Sequence, residues 1–146
     1  MLGRFGIDFI SVRESSTWRH YGIEINLRKG GTTHPFLMLQ FLTDGHYDPT
    51  TGEFRTPAGR PCCYEASDNL EAPHYRGLTA DDLIDIAVMN GLHFHSATQE
   101  GVAFHLLGAL SEFGKLGLMA VAETPGGATA LYNETVAVIN REAGQR

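Results

Sequence analysis

Hydrophobic and polar positions along the chain change period several times. Phe5 to Val12 alternates loosely and is rich in β-forming residues, which predicts a strand; Arg13 to Thr17 is a polar turn and Trp18 to Leu27 a second strand. Side chains alternate along a strand, so Tyr21, Ile23 and Ile25 fall on one face and Glu24, Asn26 and Arg28 on the other. The two runs form a hairpin. The stretch Gly30 to Thr33 is a turn, and Thr33-His34-Pro35 opens a helix with proline in the first turn, where its missing N–H costs nothing. The body of that helix, Phe36 to Leu42, is almost wholly apolar and is expected to be buried.

Thr43 to Pro61 is polar and carries glycine, proline and aspartate, which predicts a surface excursion or a small irregular hairpin. A soft boundary there gives two parts, residues 1–45 and residues 46–146. Pro61 to Ala66 reads as a short strand. Thr79 with Asp82 three residues on marks a helix start, and Leu83, Ile84, Ala87 and Val88 continue at helical spacing as far as Gly91. Gly101 to Leu107 and Leu116 to Ala122 read as two strands flanking Leu110 to Lys115. Gly126-Gly127 breaks the chain before a last helix, Ala128 to Glu142. Phe104, Leu106, Leu107, Leu116, Leu118 and Met119 are the expected core, and Trp18 is expected to pack on Phe36 or Phe41. No repeat or low-complexity tract intervenes, and the layout is α+β.

Composition narrows the function. With 42% hydrophobic and 19% charged residues the chain is an ordinary globular protein, and its net charge of -6 argues against generic nucleic-acid binding. The two cysteines, Cys62 and Cys63, are neighbours, a spacing at which a disulfide is strained, so they are expected as reduced strand thiols. No apolar run reaches the ~20 residues needed to cross a bilayer, and Met1 to Asp8 lacks the apolar stretch of a leader. The expectation is a cytoplasmic protein with no membrane or nucleic-acid partner.

One constellation carries chemistry. Glu24 and Asn26 share a strand face, and the hairpin can bring Asp8 alongside them. Two carboxylates and an amide oxygen are a hard, all-oxygen set suited to Mg²⁺ completed by phosphate oxygens. Arg28 continues that face and could meet an anionic substrate or developing charge. The glycine turn before the helix offers backbone N–H groups to an anion.

The run Phe5-Gly6-Ile7-Asp8-Phe9, followed by Tyr21-Gly22-Ile23-Glu24-Ile25-Asn26-Leu27-Arg28, resembles the end of an ATP-grasp domain, the fold of a superfamily of carboxylate–amine ligases. Asn26 to Pro35 and the segment Leu106 to Lys115 resemble more narrowly the peptide ligases of the pheganomycin type, in which a small C-terminal domain follows the ATP-grasp fold. The resemblance implies that residues 1–45 are the terminal hairpin and helix of an ATP-grasp subdomain and residues 46–146 an α+β accessory domain. It implies Asp8, Glu24 and Asn26 as ligands of the Mg²⁺ (or Mn²⁺) that bridges ATP phosphates, and Arg28 beside the reacting carboxylate. A carboxylate and an amine would be the substrates. The phosphate-gripping strands and nucleotide lid of a complete unit are not within residues 1–146, so this chain alone is expected to be inactive. A homo-oligomer is compatible with all of this.

The alternative is a non-enzymatic α+β binding or assembly module. Other candidates carry less. His93 and His95, with His105 nearby, could hold zinc, but no cysteine or glutamate-rich partner accompanies them. His34, beside the glycine turn, could cap the helix or touch substrate. Asp44, Asp48 and Glu53 lack the ligand rhythm of a calcium loop, and Ser111 lacks a nucleophile elbow.

Overall fold

Two antiparallel strands open the structure, a computed structural model that describes residues 5–144. Met1 to Arg4, part of the segment read above for a leader, and Gln145 and Arg146 lie outside the described residues. β1 (Gly6–Glu14) pairs with β2 (Thr17–Asn26) around a two-residue turn, Ser15-Ser16, in which Ser15 takes φ 57°. Arg13 and Glu14, expected in the turn, belong to the strand. The register shifts once: Asp8 faces Glu24, but Phe9 faces Gly22, leaving Ile23 as an extra residue. This bulge corrects the simple alternation. Beyond it, Tyr21 stands opposite Ile10, on the face of Asp8 and Glu24, and no longer shares a face with Ile25.

Helix α1 (Thr33–Thr43) follows. Leu39 is 1% exposed, yet Phe41 is 88% exposed, so the helix is not buried all round as its composition suggested. Trp18 is 59% exposed, where burial was expected. The chain divides into two compact units, Met1–Leu37 and Met38–Arg146, with the division inside α1.

In the second unit a small hairpin, β3 (His46–Asp48) with β4 (Glu53–Arg55), occupies the polar excursion. A three-stranded antiparallel sheet comes next, in the order β5 (Cys63–Glu71), β7 (Lys115–Ala122), β6 (Gly101–His105). β7 is central, and Leu116, Leu118, Met119, Ala120 and Val121 are all 0% exposed, so both of its faces are covered. Helices α2 (Ala80–Met89) and α4 (Pro125–Ala143) supply Leu83, Ile86, Val138 and Ile139 to the core formed with Leu116 and Leu118. The short helix α3 (Leu110–Phe113) buries Leu110 in the same cluster.

Local chemistry explains these elements. Thr79 caps α2 in a complete capping box with Asp82, as the spacing predicts. α4 starts earlier than predicted, because Thr124 accepts a hydrogen bond from the Gly127 N–H at 3.1 Å and Pro125 occupies the first turn. Gly126 and Gly127 therefore lie inside the helix they were expected to precede. Asn140 of α4 accepts from the Tyr75 hydroxyl at 2.7 Å, tying the turn before α2 to the helix. Leu106, expected in the core, is 45% exposed and holds φ 56°, a left-handed conformation that costs a residue with a Cβ roughly 1–2 kcal/mol. The expected α+β class is observed.

His105 stands opposite Gly117 in the β6–β7 ladder, and a Cβ at position 117 would overlap the His105 ring. Gly117→Ala is therefore expected to destabilise this unit by about 1–3 kcal/mol, the usual cost of overpacking, read as a lowered Tm. An unchanged Tm would mean that the ring moves aside freely.

Candidate functional site

The hairpin brings together three of the four residues singled out from the sequence. Asp8 and Glu24 are cross-strand partners, so their carboxylates project from the same face. Asn26, two residues along β2 on that face, donates from Nδ2 to Asp8 Oδ2 at 3.0 Å. All of this occurs near the end of the hairpin remote from its turn.

Two like charges directly opposite each other on an exposed hairpin repel, and such a pair destabilises the strand pairing. A hard cation between them would reverse the sign of that interaction, and oxygen donors of this kind suit Mg²⁺ better than zinc. The Asn26 bond orients one carboxylate, an outer contact of the sort that fixes metal ligands in place.

Arg28 is placed differently from the expectation. β2 ends at Asn26, and Arg28 lies in the bend beyond it, exposed, with Nη1 donating to the Lys29 carbonyl at a long 3.4 Å. It does not continue the strand face of Glu24 and Asn26. In the glycine turn, the Gly30 N–H is taken by Thr33 Oγ1 at 3.1 Å and the Gly30 carbonyl accepts from Thr33 N at 3.0 Å. One of the N–H groups expected to await an anion is therefore occupied by the first residue of the helix. His34 is exposed in the first turn of α1.

Strict alternation misses Tyr21, which the bulge brings to the carboxylate face beside Ile10. A signal for the bulge does exist in the sequence: Gly22 is an isolated glycine in a strand. A Cβ there would lie 3.5 Å from Phe9 Cε1 and 3.8 Å from Ile7 Cγ2, on the opposite, apolar face.

The other candidates do not assemble. His93 and His95 have ring centroids 6.5 Å apart, while His105 packs on Gly117. Among the described residues no group of three or more His, Cys, Asp or Glu is placed to hold a metal. Asp48 accepts from the Thr50 N–H at 2.8 Å, the main cause that lowers its carboxyl below the usual range, so it serves its own turn. Cys62 and Cys63 are free thiols, and burial pushes Cys62 up to about 11. A thiol neutral at pH 7 is not a nucleophile.

Comparison with known proteins gives the family context. Residues 82–135 match the family described as the PGM1 C-terminal domain. The chain is 33% identical over 123 residues to an L-propargylglycine–L-glutamate ligase of Streptantibioticus cattleyicolor, covering 84% of this chain and 25% of that ligase. It thus spans about a quarter of the length of that relative. No solved structure matches it. The resemblance to the C-terminal part of the pheganomycin-type ligases is borne out by both matches.

The opposed carboxylates generate a prediction of their own. In metal-free buffer of low ionic strength, Glu24→Gln removes the cross-strand repulsion and keeps the Asp8–Asn26 bond. Amide exchange along β1 should slow by about twofold, as expected when one like-charge cross-strand pair is relieved. Faster exchange would mean that Glu24 supports the hairpin in some other way.

Proposed function

We propose that the chain is the C-terminal part of an ATP-dependent carboxylate–amine ligase of the ATP-grasp superfamily, and that its hairpin contributes the metal-binding edge of the active site. The observation that carries this reading is the direct opposition of Asp8 and Glu24 with Asn26 bonded to Asp8. It joins the similarity to a ligase over most of the chain. Residues 1–45 would belong to the catalytic fold and residues 46–146 to the accessory domain.

A second observation points the same way. Phe5, Ile7, Phe9, Ile10, Trp18, Ile23 and Ile25 are each more than two-fifths exposed on β1, β2 and the residue before them. An isolated two-stranded hairpin is marginal in water, and this much bare apolar surface calls for a covering layer. The remaining part of such a ligase, which in the relative makes up most of the polypeptide, is the cover this reading supplies.

In this reading Asp8 and Glu24 would hold Mg²⁺ (or Mn²⁺), and Asn26 would hold Asp8 in position or offer its amide oxygen. The ion supplies charge neutralisation and alignment of the ATP γ-phosphate. Arg28, free of the strand, would reach the substrate carboxylate. Its fixed charge would stabilise negative charge as the carboxylate is phosphorylated and as the amine displaces phosphate.

Metal binding is testable on the chain itself. Titration of the ¹⁵N-labelled chain with Mn²⁺ should broaden the amides around Asp8, Glu24 and Asn26 first. Affinity should be weak, since nucleotide phosphates complete the shell in such sites. Selective broadening at His93 and His95 would move the site to the histidines.

Arg28 is tested in the full-length ligase. A group that acts on charge developing only in the transition state changes kcat more than binding, and lysine does not copy its planar fork. Arg28→Lys should therefore lower kcat by ~10²-fold or more, with little change in KM for ATP. A near-parental kcat would take Arg28 out of the mechanism and leave the three metal-face residues.

A further inference from the structure

We draw no further inference here: the strongest candidate, the exposed face of α2 that carries Ile84, Val88 and Met89, carries nothing because nothing in the structure shows what covers it.

Discussion

Burial of β7 on both faces is the constraint on which residues 38–146 depend. A strand paired along both edges satisfies its backbone groups within the sheet, and side chains on both faces can then be apolar. This is why Leu116 to Ala122 reads as a continuous apolar run without alternation. The same crowding restricts where Cβ atoms fit. Gly117 yields its space to the His105 ring, and Gly114, at φ 67°, ends α3 where a Cβ would overlap the Ala72 carbonyl. With β7 fixed, β5 and β6 follow by pairing, and α4 follows by packing Val138 and Ile139 on the Leu116–Leu118 face.

The β1–β2 hairpin obeys a different rule. Its strands pair along their length with one bulge, yet their apolar side chains lie largely in solvent, so backbone pairing and not burial defines the local shape. The bulge at Ile23 adds twist and separates two kinds of surface. One face carries Ile7, Phe9 and Ile25; the other carries Asp8 and Glu24 with Ile10 and Tyr21 beside them. A charged pair at the edge of an apolar surface has low local dielectric available to it once that surface is covered, and its attraction for a cation rises accordingly.

Much of this was legible in the sequence because the determinants are local. The Thr79–Asp82 capping box, the apolar run of β7 and the Asp8/Glu24/Asn26 pattern each sit within a few residues or on one hairpin. What was not legible depended on competition between signals. Two glycines outweighed the Thr124–Pro125 start signal in the reading of α4, although the cap and the fixed proline φ prevail in the structure. Composition alone suggested a buried α1, but period places Phe41 away from Leu39 and Thr43, which are covered while Phe41 is not. Tyr21 changed face because one extra residue reverses every later position.

The hairpin and residues 38–146 differ in how much order burial supplies. Residues 38–146 hang on a strand buried on both sides, which leaves little conformational freedom in its neighbours. On the hairpin, Asp8 and Glu24 are held together against their mutual repulsion by a ladder with little burial behind it. A cation that binds them must stabilise the paired hairpin, and by linkage anything that stabilises the paired hairpin must tighten the cation. Covering the apolar face and filling the acidic one are therefore the same equilibrium seen from two sides. In the ligase reading this coupling confines strong metal binding to the assembled active site, where the phosphates that need the metal are also held.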